Sequence, residues 1–174
     1  MNIQIRPETR ADSDAIEALT IAAFLEAPHT DHNEQLIIRD LRAAGALRHS
    51  LVAEQEGVIV GHLCFSPVTI SDGSQGWLGL GPIAVAPKWQ GQGIGAALMR
   101  AGLKALDSEG VAGCVVLGDP GFYGRFGFQA DERLLLPGVP PEFFMARRFE
   151  DERASGEVRY HAAFQQGGGV RTGD

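Results

Sequence analysis

The segment from Leu78 to Ala101, LGLGPIAVAPKWQGQGIGAALMRA, restricts the folds open to this chain more than any other part of it. Its apolar, strand-like run Ile83-Ala84-Val85 stops at Pro87. A short polar turn then leads into Gln90-Gly91-Gln92-Gly93-Ile94-Gly95, after which Ile94, Leu98 and Ala101 recur at helical spacing. A strand, a glycine-rich turn and a helix start make an anion cradle. The first N–H groups of a helix have no partner within it, and the macrodipole makes that end positive. Glycines let a phosphate approach the backbone without meeting a Cβ, so the natural guest is a phosphate-bearing ligand.

Two dinucleotide fingerprints overlap this segment, and both fit poorly. Gly79-x-Gly81-x-x-Ala84 leads through Pro82 into a β-type run, where no helix receives a pyrophosphate. Gly91-x-Gly93-x-x-Ala96 does open a helix, but Pro87-Lys88-Trp89-Gln90 holds its glycines away from the strand. A dinucleotide unit also carries an acidic residue roughly 20 positions further on, and Asp119 lies beyond that. No Gly-x-x-x-x-Gly-Lys-Ser/Thr occurs, which excludes a Walker-type loop. A nicotinamide-dependent enzyme therefore ranks behind the readings below.

The better match is Gln90-x-x-Gly93-x-Gly95, entered from Ile-Ala-Val, followed downstream by a buried-strand pattern, Cys114-Val115-Val116-Leu117, and then Tyr123-Gly124-Arg125-Phe126-Gly127-Phe128. In this order the two motifs resemble the acyl-CoA pyrophosphate loop and the Tyr-x-x-x-Gly-Phe element of the GNAT acetyltransferases. The resemblance covers nearly the whole chain and is best at 77–128. Leu117-Gly118-Asp119-Pro120 and the late Val158-Arg159-Tyr160-His161-x-x-Phe164 are similar to a bacterial branch of that family whose acceptors are mostly unassigned.

At 174 residues the chain is expected to form one domain with a substantial core, and 44% hydrophobic and 21% charged residues are ordinary for such a domain. The net charge of −7 and the lack of a basic block argue against nucleic-acid binding. An acidic surface attracts cationic amines and equally serves solubility. Cys64 and Cys114 lie in apolar runs without histidines at metal-ligand spacing, so no metal is expected and buried thiols in a reducing cytoplasm are. No run of about eighteen apolar residues predicts a membrane span, and the N-terminus has no signal-type core.

Residues 2–6 read as a strand, and Thr9-Arg10-Ala11-Asp12 as a capping box before a helix with Ile16, Leu19, Ala23 and Phe24 on one face. A second helix is expected over 33–44, capped by Gly45. Strands over 50–55 and 58–70 meet at a tight Glu56-Gly57 turn. A strand at 77–86, a helix at 93–108, a strand at 112–117, a short helix at 120–126 and a strand at 127–130 follow. GEVRYHAAF, residues 156–164, alternates as a last strand. This is a mixed α/β (α+β) order, neither bundle nor sandwich. The resemblance implies a single-domain, mostly antiparallel twisted sheet flanked by helices over 1–164, followed by a Gly-rich tail, 165–174, expected to be mobile.

Acetyl transfer from a thioester to an amine needs an unprotonated amine, a positioned thioester, stabilisation of the oxyanion and a proton for the leaving thiolate. The resemblance implies direct attack by the amine, without an acyl-enzyme. It assigns Ile83, Ala84 and Val85 to the pantetheine arm of acetyl-CoA through their backbone, and Gln90, Gly91, Gln92, Gly93, Ile94, Gly95 and Ala96 to the pyrophosphate. Phe126 joins the cofactor contacts. Gln90 stands where many members have Arg, so this loop relies less on charge. Tyr123 matches the position of the family's general acid. Its phenol, with an ordinary pKa of about 10, is protonated at neutral pH and suited to a thiolate of about 8.5. The alternative for Tyr123 is packing beside Phe122 and Phe126.

No base stands out. Glu26, His29, Asp31, His32 and Glu34 cluster between the first two helices, where Asp31 and Glu34 read more readily as helix caps than as bases. His62 on its strand reads more readily as a satisfied core residue, and water serves as base in the remaining alternative. Asp119 reads as a helix cap, Trp77 and Trp89 as packing residues, and Phe143-Phe144 as either pocket or core. The expected partners are acetyl-CoA and an amine acceptor; the resemblance also admits a homodimer. A non-catalytic acyl-CoA sensor with the same fold is the second reading.

Overall fold

A computed structural model of the chain describes residues 2–28 and 30–168; for 166–168 it describes the backbone alone. The strand β1 (Ile3–Pro7) leads into Thr9, whose N–H donates to Asp12 Oδ2 at 2.7 Å to start a 3-10 turn, Arg10–Asp12, and α1 (Ser13–Phe24). The helix α2 (Glu34–Ala43) precedes the hairpin of β2 (His49–Gln55) and β3 (Val58–Pro67). Glu56 and Gly57 both take positive φ, 49° and 83°, as a two-residue hairpin turn requires. The strands β4 (Thr69–Ile70) and β5 (Trp77–Val85) come next, then α3 (Ile94–Ser108), β6 (Gly113–Leu117) and α4 (Pro120–Tyr123). The remaining strands are β7 (Gln129–Ala130), β8 (Leu134–Leu135), β9 (Phe144–Arg148) and β10 (Gly156–Arg159).

Seven strands form the main sheet in the order β1-β2-β3-β5-β6-β9-β7, and β4-β10-β8 form a small second sheet. In the main sheet only β5 and β6 are parallel. Both faces of its centre are covered, which is why β2 and β3 read as nearly continuous apolar runs. Leu51, Ala53, Leu63 and Phe65 pack with Leu98, Met99, Leu103 and Leu106 of α3. On the opposite face Val52 and Cys64 meet Ile16 of α1 and Ile38 of α2.

The long alternating pattern after Gly156 breaks earlier than expected. β10 ends at Arg159, opposite Thr69, because β4 is only two residues long and offers no further partner. Tyr160 turns inward, and Ala162–Gly168 form a 3-10 helix, so the strand expected over 156–164 is a strand and a helix. That helix takes in the start of the expected tail; the rest of the tail lies outside the described residues. The strand β9 had no counterpart in the sequence reading. Its two arginines hide a strand that is apolar at Phe144, Met145 and Ala146, where it lines β6.

The parallel pairing decides where a ligand can enter. It runs only from Trp77–Gly113 through Leu78–Cys114 to Gly79–Val115. Beyond Gly79 the two strands part, while β5 stays paired to β3 as far as Gly61–Val85. Residues 80–85 therefore present one free strand edge to the gap.

Candidate active site

The gap between β5 and β6 opens into a cleft of about 780 Å³. Its mouth carries the glycine-rich turn. Gly93, the residue before α3, has φ 87°, a conformation that side chains rarely tolerate, and no atom lies within 4 Å of where its Cβ would be. The first helical bond runs from Ala97 N to Gly93 O at 3.0 Å, so the N–H groups of the turn before it have no helical acceptor. Gln90 folds back and donates its amide to Val85 O at 3.0 Å. That bond ties the loop to the end of β5.

Of the residues expected to contact the cofactor, Ile83, Ala84, Val85, Gln90, Gly91, Gly93, Ile94, Gly95 and Ala96 border this one cleft. Gln92 does not; it is exposed and its amide reaches Lys88 O at 3.4 Å. Phe126 is buried behind Phe122, with ring centroids 5.3 Å apart, and does not border the cleft either. The Arg125 guanidinium lies 5.0 Å from the Phe122 ring, and Phe122 approaches Gly95. This is the single cationic side chain bordering the cleft among the described residues.

Two tyrosines sit at the closed end, each against a glycine. A Cβ on Gly118 would stand 2.7 Å from Tyr123 Cε2, and one on Gly79 would stand 2.4 Å from Tyr160 Cε1. Burial pushes the Tyr123 phenol up to about 12, with Asp119 and Cys114 adding to the shift. It therefore stays protonated at neutral pH and is able to donate. Burial also pushes the Tyr160 phenol up. Asp119 caps α4 by accepting from Gly121 N at 2.9 Å, which places Tyr123 one turn later.

The far side of the cleft is built by side chains from distant elements. Glu34 and Ile37 lie one turn apart on α2, and Glu34 is 3% exposed and accepts a hydrogen bond from the Thr30 hydroxyl. Tyr160 and Phe164 close the wall with rings 5.0 Å apart, and Phe24 and Leu80 complete it. Sequence reading singled out neither Tyr160 nor Phe164 for the site. The one available signal, the late Val158-Arg159-Tyr160-His161-x-x-Phe164, reads as a family resemblance and as strand alternation, and neither points to a cleft wall.

The other candidate bases fall elsewhere. Glu26, Asp31 and His32 are exposed, and His29 lies outside the described residues. His62 is fully buried away from the cleft, with Nε2 2.7 Å from Ser50 Oγ. Burial lowers the His62 pKa and keeps the ring neutral. Ser50 in turn meets Glu8, which Arg42 grips at 3.0–3.2 Å. Burial alone would raise the Glu8 carboxyl, yet hydrogen bonds from His62, Arg42 and Ser50 hold it down at about 2. Both cysteines are free and buried, and burial pushes both thiols far up, which disqualifies them as nucleophiles. Phe144 belongs to the second apolar cluster, with Trp77, and Phe143 is exposed. Among the described residues no group of His, Cys, Asp and Glu is placed to hold a metal, and no helix is long and apolar enough to cross a membrane.

Comparison with known proteins matches this geometry. A family model described as Acetyltransferase (GNAT) family covers residues 14–128. A protein of Escherichia coli strain K12 named Uncharacterized N-acetyltransferase YhbS is 36% identical over 169 residues, 93% of this chain and 98% of its own. The crystal structure of that Escherichia coli protein in complex with CoA superposes with a TM-score of 0.86 at 35% identity, covering 98% of this chain and 96% of the other. A GNAT family acetyltransferase from Brucella melitensis, solved with acetyl-CoA, is 44% identical with a TM-score of 0.84, covering 94% and 98%.

Proposed function

We propose, from the premise that this chain belongs to the acetyltransferase (GNAT) family, that it is an acetyl-CoA-dependent N-acetyltransferase working by direct attack of an amine. The observation that carries this reading is the parting of β5 and β6 beyond Gly79, with a glycine cradle at the mouth and a protonated phenol inside. The catalytic domain takes in residues 1–164, since Phe164 borders the cleft.

The pantetheine arm adds to the free edge of β5 as an extra strand would, bonding backbone groups of residues 83–85. The pyrophosphate rests on the N–H groups of the 91–96 turn at the positive end of α3. Arg125 is the side chain that brings positive charge to this otherwise neutral loop. With the thioester held beside β5, the neutral amine attacks its carbonyl carbon. The C–N bond forms, the C–S bond breaks, and the amine's surplus proton leaves to water. Tyr123 gives its phenolic proton to the departing thiolate, which leaves as free CoA, and the phenol is reprotonated from solvent. The buried, unreactive thiols favour this route over an acyl-enzyme. They also suit a reducing cytoplasm, where we place the enzyme.

The test is thermal stabilisation by acetyl-CoA, CoA and NAD, followed by thiol release with added amines. Ligands that bind the native state raise its melting temperature. A shift with the two CoA species and none with NAD is expected; no shift with millimolar acetyl-CoA would sink the reading.

A further inference from the structure

Tyr160 is built into the closed end of the cleft. The last parallel pair of β5 and β6 is Gly79–Val115, and the Tyr160 ring lies against its glycine. A Cβ at position 79 would stand 2.4 Å from Tyr160 Cε1 and 2.8 Å from Cδ1, so the ring fills the space that a side chain there would take. Strand and ring are fitted to each other. The backbone of Tyr160 continues from β10, which is tied to β4 through Val158–Ile70 and Arg159–Thr69. The ring packs on the apolar cluster that contains Val68, Trp77, Val115 and Phe144, and Phe164 flanks it with ring centroids 5.0 Å apart.

The course of the bound arm gives this ring a task. A pantetheine on residues 83–85, with its pyrophosphate at 91–96, runs from the mouth toward residue 80, because the free edge of β5 ends at Gly79. Its thioester then faces the closed end. There Tyr123 stands against Gly118 on one side and Tyr160 against Gly79 on the other. An acyl group longer than acetyl continues the line of the arm and meets the Tyr160 ring. The cluster behind that ring is packed, and forcing extra methylenes into a packed interior is unfavourable.

The geometry points to Tyr160 as the residue that limits the donor's acyl group to acetyl. Its ring is a steric stop just past the thioester, where the acyl end of the donor reaches the acceptor wall. The inference rests on the acetyltransferase reading and narrows its donor.

Calorimetry with CoA, acetyl-CoA and butyryl-CoA tests this without an acceptor. Affinity for CoA, which has no acyl group, is the reference in each protein. The wild type is expected to bind butyryl-CoA at least about tenfold more weakly than acetyl-CoA, the effect of two methylenes forced against a packed wall. In Tyr160→Ala the order should reverse, with butyryl-CoA about tenfold tighter, since each methylene entering apolar space adds about three- to fourfold. Tyr160→Leu, a smaller opening, should bring the two affinities within about threefold, and it decides the matter if the alanine variant does not fold. Tyr160→Phe keeps the ring and should keep the wild-type order. Wild-type protein that binds butyryl-CoA as tightly as acetyl-CoA overturns the inference, as do alanine and leucine variants that retain the wild-type order. Loss of that order in Tyr160→Phe also overturns it, because the hydroxyl and not the ring would then set the limit. Each of these results, with CoA itself bound normally, leaves the acetyltransferase reading in place. Failure of the wild type to bind CoA and acetyl-CoA removes that reading itself.

Discussion

The cofactor half and the acceptor half of the cleft are made by different means. Along residues 80–96 the ligand-facing groups are mostly backbone: a free strand edge, then a turn whose N–H groups have no helical acceptor. Opposite it, Glu34, Ile37, Tyr160 and Phe164 come from α2 and from the segment after β10, over 120 positions apart in the extreme case, and they act through side chains. A backbone site tolerates changes of side chain as long as the chain keeps its path. A side-chain site changes its ligand with each substitution, so one scaffold holds a constant cofactor and a variable acceptor.

The sharpest test of this division is Tyr123→Phe, which leaves both walls in place and removes one proton. About a hundredfold loss of kcat is expected, at the lower end of what general acid catalysis supplies, with the KM for acetyl-CoA nearly unchanged. Unchanged kcat would make Tyr123 a packing residue. Next in size is Gly93→Val. A β-branched residue at φ 87° is strained, and its side chain fills the space in front of the cradle, so acetyl-CoA affinity should fall about thirtyfold by calorimetry. Normal affinity would break the assignment of the loop.

Gly79→Ala attacks the other half. Its methyl would meet Tyr160 and Val68, so Tyr160 must shift; the acceptor KM should rise about tenfold while acetyl-CoA still stabilises the protein. A matching loss of acetyl-CoA binding would show that the two halves are not separable.

A fourth prediction concerns neither half, but the charged cluster that fastens α2 to the sheet. Glu8 has a carboxyl held at about 2, below its ordinary 4.5. Its stabilising contribution is complete above pH 4.5 and is lost as the pH falls toward 2, because the unfolded chain binds that proton first. Burial-lowered His62 acts in the same direction, losing stability as the pH drops below its ordinary range. In Glu8→Gln, the unfolding free energy from urea titrations should be lower at pH 7 by about 1–3 kcal/mol and should change less between pH 4.5 and 2 than that of the wild type. An acid limb of wild-type steepness would assign the acid sensitivity elsewhere. The smallest effect is expected for Gln90→Ala. It removes one exposed hydrogen bond to Val85 O, so acetyl-CoA affinity should change less than about threefold. A change above tenfold would mean that the loop depends on that side chain after all.

The contiguous part of this design was legible in the amino-acid order. Strand, turn and helix over 77–108 follow from local rules, since apolar runs, positive-φ glycines and helical spacing act between neighbours. The same holds for the Glu56-Gly57 hairpin and for the Asp119 cap before Tyr123. Even within the loop, however, sequence could not distinguish Gly93, which faces the cleft, from Gln92, which does not. Phe126 shows the same limit: its motif position suggested a ligand contact, and packing behind Phe122 puts it in the core.

What only the tertiary structure decided was which distant residues share a wall. The strand expected over 156–164 fails because β4 is too short to pair beyond Thr69, a fact about another element. That failure turns Tyr160 and Phe164 into the cleft, and helix packing brings Glu34 and Ile37 to meet them. Local propensity acts over a few residues, whereas a pocket wall depends on where elements more than a hundred residues apart run out of partners. The order of amino acids therefore determined the strand, glycine turn and helix over 77–108, and the packing of the whole chain determined which distant side chains face them across the cleft.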